Sequence, residues 1–322
     1  MEEKQVQQLT ATRATLSDEW KSNNLLLDWM HAPGAANSVN KMVSGKDLPT
    51  GHWAQYAKER HILPLLKRLR DSGSRQEGLR MVSLGCGSAH IEKSLISDFG
   101  WPVSILQGLE YDSELRADAQ NRFKGLRDVA SSFEFFDFNS SLHSMQTYDV
   151  VFCCHSIHHA TDLEFFLPAL NELMRDDSIF IGIDFFGPTR FQIEPEVKGI
   201  INKLDRMLPS SLRLDLRKCP PRESMVAFPS IAEVISADIT ESPRSSDLRN
   251  LLFSNFPIID IKPMGGTVLR WLLQHRAGNF DHQNPEHRCI ADLLFYIEEL
   301  LIEQKAVRSD DLFFVLGRSK TI

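Results

Sequence analysis

Between Leu79 and Asp184 the apolar positions change period repeatedly. Short apolar runs occur at Arg80 to Leu84, Ser104 to Glu110, Phe133 to Phe136, Val150 to Cys154 and Ile179 to Asp184. Their length and β-branched content predict buried strands. Between them lie stretches of helical period, Ile91 to Phe99, Ser113 to Phe123 and Asp162 to Met174. In the last, Leu163, Phe166, Leu167, Leu170, Leu173 and Met174 share one stripe, as an amphipathic helix requires. Such alternation predicts an α/β fold, a doubly wound and mostly parallel sheet with right-handed crossovers. Ligands of such sheets bind beyond the carboxyl ends of the strands.

The flanks read differently. The first 78 residues are helical in pattern, with Val6, Leu9, Leu16 and Trp20 at helical intervals and Leu25 to Met30 broken by Pro33-Gly34. A longer helix is expected over His52 to Arg70, with Trp53, Ala57, Leu63, Leu66 and Leu69 inward and a kink at Pro64. After Asp184, Phe185 to Phe256 holds helical pieces, several prolines and no clear strand. One helical piece carries Val197, Ile200, Ile201, Leu204 and Leu208. Ile258 to Lys262 and Leu312 to Leu316 read as two further strands, Thr267 to His275 and Cys289 to Glu303 as helices. The expected organisation is a helical N-terminal lid over residues 1–78, then one sheet domain over 79–322 with a helical insertion at about 187–256.

Composition narrows the partners. The 322 residues are 42% hydrophobic and 25% charged, which is ordinary for a soluble globular chain, and the net charge is −7. A nucleic-acid footprint normally brings a basic face, so no nucleic acid is expected as partner. The five cysteines contain no C-x-x-C pair, which predicts reduced thiols and a cytoplasmic protein. The start, Met1-Glu2-Glu3-Lys4, is polar and acidic, unlike a secretory signal. No apolar run approaches the ~20 residues of a membrane span, so no membrane partner is expected.

The chemistry starts at Met81-Val82-Ser83-Leu84-Gly85-Cys86-Gly87-Ser88-Ala89. A strand ends in Gly-x-Gly and opens into a helix. Such a turn lets backbone approach a ligand closely, and the helix start offers N–H groups. Glu110, at the end of the next strand, is the acidic residue expected for ribose hydroxyls. Together they predict a nucleoside-containing cofactor. The dinucleotide fingerprint wants a third glycine, and His90 stands in its place. A nicotinamide-dependent oxidoreductase is therefore an alternative reading.

Four motifs in order then carry a resemblance: Leu84-Gly85-Cys86-Gly87-Ser88, Gly108-Leu109-Glu110-Tyr111-Asp112, Phe136-Asp137-Phe138 and Tyr148-Asp149-Val150-Val151-Phe152. The stretch from Leu79 to Asp184 resembles the class I S-adenosylmethionine-dependent methyltransferases. The resemblance implies their seven-stranded Rossmann-like fold and S-adenosyl-L-methionine as cofactor. It implies that Gly85, Cys86 and Gly87 lie under the methionine part and that Glu110 binds both ribose hydroxyls. Tyr111 would pack on the adenine, Asp137 would accept from the adenine amino group, and Phe138 would lie beside it. Cys153 to Ser156 would end the fourth strand next to the sulfonium, with His155 touching the cofactor. Glutamate replaces the more usual aspartate at the ribose position. The stretch from Phe185 through Gly265-Gly266-Thr267 to Phe280 is similar, more weakly, to bacterial stand-alone methyltransferases.

Methyl transfer from a sulfonium is an in-line displacement, and a hydroxyl acceptor gains from a general base. His158 and His159, in His155-Ser156-Ile157-His158-His159 after the fourth strand, are the candidate bases. This spacing is not the i, i+4 pair of zinc hydrolases, and no metal is expected. Phe185, Phe186 and Arg190 are candidates for an aromatic, singly charged acceptor wall, with Tyr56 lining it from the N-terminal side. The expected reaction is methylation of a small-molecule acceptor, on oxygen rather than nitrogen, in metabolite or natural-product biosynthesis. A methyltransferase acting on RNA or protein is the other alternative. The Asn/Asp-Pro-Pro-Tyr/Phe signature of many amino-group methylases does not occur after the fourth strand. A homodimer is allowed but not required.

Overall fold

The computed structural model describes residues 52–74, 77–139 and 146–320, together with Ala32, Ala35, Ser38 and Met42. The helices expected around Val6 to Trp20 and Leu25 to Met30 lie outside the described residues. In chain order the elements are α1 (Trp53–Ala57), a π-turn (Lys58–Ile62), α2 (Leu63–Asp71), β1 (Leu79–Leu84), α3 (His90–Ser97), β2 (Val103–Glu110), α4 (Ser113–Phe123), β3 (Ala130–Phe135) and β4 (Tyr148–Cys154). There follow α5 (Leu163–Glu172), β5 (Met174–Phe185), α6 (Pro195–Met207), the two-residue strands β6 (Leu214–Asp215) and β7 (Arg222–Glu223), and α7 (Ile231–Ala237). The chain closes with α8 (Ser245–Asn255), β8 (Ile258–Gly265), α9 (Leu269–Leu273), α10 (Pro285–Glu303) and β9 (Asp311–Gly317).

All seven expected strands form, in one sheet of order β3-β2-β1-β4-β5-β9-β8. The pairs β3–β2, β2–β1, β1–β4 and β4–β5 are parallel. Strand order reverses at β1, between β2 and β4. That is a topological switch point, where α/β sheets bind ligands. Local chemistry explains several boundaries. Asp112 accepts from the N–H groups of Glu114 and Leu115 and so starts α4. Asp162 does the same for Phe165 in α5. The kink expected at Pro64 takes the form of a π-turn just before it. Proline has no N–H and clashes with the turn behind it, and a wider turn absorbs both faults.

Contacts divide the chain into two compact units. One comprises Gly51–Phe186, Pro243–Lys262 and Leu312–Ile322. It contains the sheet, whose core gathers Val82, Leu84, Val151, Phe166, Leu170, Phe180, Phe186 and Phe314. Leu248, Leu252 and Phe256 of the α8 stripe join the same core, so α8 belongs to the sheet unit although the sequence placed it in the insertion. The α1 segment is part of this unit, and the buried Trp101 indole donates to Ala54 O at 3.1 Å.

The second unit comprises Met1–Thr50, Gly187–Ser242 and Pro263–Asp311. It is mainly helical. Arg276 donates to Asp205 at 2.7 Å, and both side chains are buried. The buried Glu298 carboxylate takes the N–H groups of Gly266, Val268 and Leu269 and so ends the chain's turn into α9. The antiparallel pair β6–β7 was not expected. Two residues per strand are too few to show a period in sequence. Among the described residues, no helix is long and apolar enough to cross a membrane.

Phe314 is fully buried and meets Phe180, Phe186 and Phe253 ring to ring. Phe314→Ala is expected to cost about 3–5 kcal/mol. Urea unfolding followed by far-UV circular dichroism reads this as an earlier midpoint for the sheet unit.

Candidate active site at the carboxyl ends of the strands

The five strands β3, β2, β1, β4 and β5 deliver the candidate residues to one edge of the sheet. The first is the glycine turn. Gly85 has φ +63°, and a β-carbon there would come within 2.5 Å of Ser156 Cβ and 3.4 Å of Phe138 Cζ. Glycine is required by conformation and by space. Gly87 has φ +54°, but a β-carbon there would meet nothing within 4 Å. Gly85 thus packs the turn onto the protein, while Gly87 faces open space. The Cys86 thiol is buried beside Gly108, where a β-carbon would come within 2.8 Å of Sγ. Burial pushes this thiol well up, so it is not a thiolate. Cys86 therefore offers a ligand only its backbone.

Glu110 braces that turn. Oε2 accepts from Gly87 N at 2.8 Å, and Oε1 accepts from Asp112 N at 2.9 Å. Burial raises its carboxyl above the usual range, against these hydrogen bonds. Each carboxylate oxygen keeps a further acceptor site for a hydroxyl. Tyr111 follows and lies 5.4 Å from the exposed Phe135 ring. The Arg116 guanidinium sits over Phe135 and donates to the carbonyls of Glu110 and Tyr111. Phe135 and Arg116 were not singled out from the sequence. Phe135 falls at a strand end, where an exposed aromatic is the only available signal.

Asp137 and Phe138 stand beyond β3. Asp137 Oδ1 accepts from Asn139 N at 3.0 Å. Asn139 Oδ1 in turn accepts from Thr161 N and Asp162 N, at 3.2 and 3.3 Å. This relay ties the loop after β3 to the loop after β4. Phe138 packs edge-on between Phe136 and Phe166.

The loop after β4 is held by one residue that the sequence reading passed over. Asp184, at the end of β5, is wholly buried. Its Oδ2 accepts from Ser156 N at 2.8 Å and Ile157 N at 2.9 Å. Its Oδ1 accepts from Phe185 N at 2.8 Å and faces His158 Nδ1 at 2.6 Å. Burial works to raise the Asp184 carboxyl, but the His158 charge and these hydrogen bonds carry it below the usual range. In the neutral imidazole, an ionised Asp184 makes Nδ1 the protonated nitrogen of His158 and Nε2 the proton-accepting one. Ser156 Oγ donates to Leu84 O at 2.6 Å, which joins this loop to the glycine turn. His155 has φ +50°, and its N–H donates to Ile183 O. The His159 ring lies tilted at 4.4 Å from His158, and Phe185 presents its edge to His158. The missed signal was a lone acid closing the apolar run Ile179 to Ile183. A charge in such a place needs a partner.

Two of the other acceptor-wall candidates are engaged elsewhere in the sheet unit. Phe186 is a core residue, packed on Phe253 and Phe314. Tyr56 is buried at the β9–β8 side of the sheet, where its hydroxyl donates to Asp260 at 2.7 Å and its ring meets Phe313. Arg190 belongs to the second unit and donates there to the carbonyls of Ser242 and Glu241.

Residues 82–180 match a family described as "Methyltransferase domain". No curated protein matches the chain. Among solved structures, an S-adenosylmethionine-dependent methyltransferase from Mesorhizobium loti is 15% identical, with TM-score 0.42, covering 82% of this chain and 98% of that one. The [4+2]-cyclase SpnF is 11% identical, with TM-score 0.42 and coverages of 84% and 83%. A geranyl diphosphate methyltransferase solved with S-adenosylmethionine is 12% identical, with TM-score 0.41 and coverages of 89% and 97%. The residues present suit that cofactor. Gly87 opens onto free space, and Glu110 keeps acceptor sites beside it. The stretch that holds the glycine turn, Glu110 and β4 is thus a methyltransferase domain, with S-adenosylmethionine as its methyl donor.

Proposed function

We propose that the protein methylates a hydroxyl group of a small-molecule acceptor, with His158 as general base and Asp184 as the residue that positions it. The single observation behind this reading is the 2.6 Å contact between the buried Asp184 carboxylate and His158 Nδ1. S-adenosylmethionine supplies, when bound, a methyl group made electrophilic by its sulfonium. The chain's own residues do the rest. Glu110 accepts from the ribose hydroxyls with the lone pairs left over from Gly87 and Asp112. Tyr111 and Phe135 offer aromatic faces to the adenine. Asp137 is the acceptor for the adenine amino group, held in place by Asn139 and Thr161. His158 Nε2 takes the proton of the acceptor hydroxyl as that oxygen becomes the nucleophile. Asp184 keeps the imidazole in the tautomer this requires and stabilises the imidazolium that results. Phe185, edge-on to His158, keeps water from the base. The net charge of −7 favours a small acceptor over RNA.

Glu110→Gln places an amide –NH2 against a backbone N–H. It is expected to weaken S-adenosylmethionine binding about 10- to 100-fold, read by calorimetry. His158→Gln is expected to lower kcat about 100- to 10,000-fold with donor affinity nearly unchanged. The assay follows radiolabelled methyl into a panel of phenols, catechols and alcohols, beside total RNA and protein. Label confined to the macromolecules, or a His158→Gln variant at full rate, sinks the proposal. Asp184 also has a signature in stability. Its folded pKa is depressed, so its contribution is complete above the unfolded value of about 4 and is lost as pH falls through the lower folded value. Asp184→Asn should melt well below the wild type at neutral pH, with the gap closing in acid.

A further inference from the structure

Glu92 sits in the first turn of α3, directly after the glycine turn, and has no part in the mechanism above. Its side chain is turned inward and is 3% exposed. Oε1 accepts from Ser83 Oγ on β1 at 2.5 Å. Oε2 is buried with no hydrogen-bond partner among the described residues. The groups whose charges and hydrogen bonds reach this carboxyl are Ser83 on β1, the backbone N–H of Glu92 itself, the Cys86 thiol on the turn and Glu110 on β2. None is a cation, and Glu110 carries the same sign. Burial, opposed by the hydrogen bonds from Ser83 and from the backbone N–H of Glu92 and reinforced by Glu110, lifts the Glu92 carboxyl to about 7.

A brace between α3 and β1 needs only one polar atom. A serine or glutamine meets that need without a buried ionisable group, so the unmatched oxygen calls for its own explanation. The donor offers one. S-adenosylmethionine carries a net positive charge, from its sulfonium and amino group less its carboxylate. Its demethylated product, S-adenosylhomocysteine, has lost the sulfonium charge. Gly87, five residues before Glu92, opens onto the space where this cofactor fits. Glu110 braces the turn at Gly87, and Glu92 lies within charge range of Glu110, so two carboxylates stand near the turn that would receive a cation and release a neutral product.

We infer that Glu92 is the buried counter-charge of the methyl donor, protonated in the empty site and ionised when the cationic donor binds. The O–H bond of the Glu92 carboxyl breaks on binding, and its proton passes to solvent. Donor affinity then rises with pH up to the midpoint of the empty site and levels above it. Product affinity follows this rise far less. The protein thereby favours donor over spent product through charge. The inference rests on the cofactor, not on the nature of the acceptor or on His158.

The test is isothermal titration of the full chain with S-adenosylmethionine and S-adenosylhomocysteine at pH 7, in phosphate and in Tris. These buffers differ in ionisation enthalpy, so the heat difference counts protons. About half a proton per donor is expected beyond the donor's own titration, and clearly less for the product. The product-to-donor ratio of Kd is expected to rise about tenfold from pH ~5.5 to ~7 and then level. Glu92→Gln should abolish the excess proton release and flatten that ratio. The empty Glu92→Gln protein should melt above the wild type at pH 8, since it no longer buries a charge. Loss of a mere brace would lower the melting temperature at every pH. Ser83→Ala, which removes the hydrogen bond favouring the ionised form, should keep the release and move its midpoint upward. Donor binding with no buffer-dependent heat in the wild type overturns the inference, as does release unchanged in Glu92→Gln. Absence of any donor binding overturns the cofactor assignment as well.

Discussion

The buried Asp184 carboxylate organises this protein's reactive edge. It sits at the end of β5, beside the central strand β4, and accepts from three backbone N–H groups and one imidazole. A carboxylate out of water is tolerated only with such a complete set of partners. Satisfying it fixes the path of the loop after β4, because Ser156 and Ile157 must turn their N–H groups toward it. The same turn aims Ser156 Oγ at Leu84 O and so fastens the loop to the glycine turn of β1. One buried charge therefore sets the geometry of the candidate base, of the loop that carries it and of the neighbouring cofactor turn.

Three carboxylates serve this edge with different partners. Asp184 is answered by donors on all sides and stays ionised. Glu110 is answered by two backbone N–H groups and keeps capacity for hydroxyls. Glu92 is answered on one oxygen only. Asp184 and Glu92 are both buried, so the difference between those two comes from the number and kind of donors around each, while Glu110 is only partly buried.

The interruption of the sheet domain follows the same logic of partners. Helix α8 lies in sequence within the non-sheet region, yet Leu248, Leu252 and Phe256 pack into the sheet core. The second unit takes residues from both sides of α8 and β8. Two of its buried charged groups are matched internally, Arg276 by Asp205 and Glu298 by the start of α9.

The strands were legible in the sequence because a buried parallel strand must be a short apolar run. The helices between them were legible because one face must be apolar at a period of 3.6. The glycine turn and Glu110 were legible for a similar reason, since local backbone geometry demands those residue types at that spacing. Asp184 opposite His158, Asn139 between two loops and Glu92 beneath the turn were not legible. Each draws its meaning from a partner 20 to 30 or so residues away, or, like Glu92 with Ser83, from a strand and helix folding face to face. No period or composition records which side chain a distant strand end will meet. Tyr56 and Phe186 make the converse point. As aromatic residues near the expected site they suited a pocket, but tertiary packing assigned one to Asp260 and the other to the core. The sequence thus determined the sheet and its cofactor turn, which local physics specifies. Only the fold decided which charges face one another, because that depends on contacts between elements far apart in the chain.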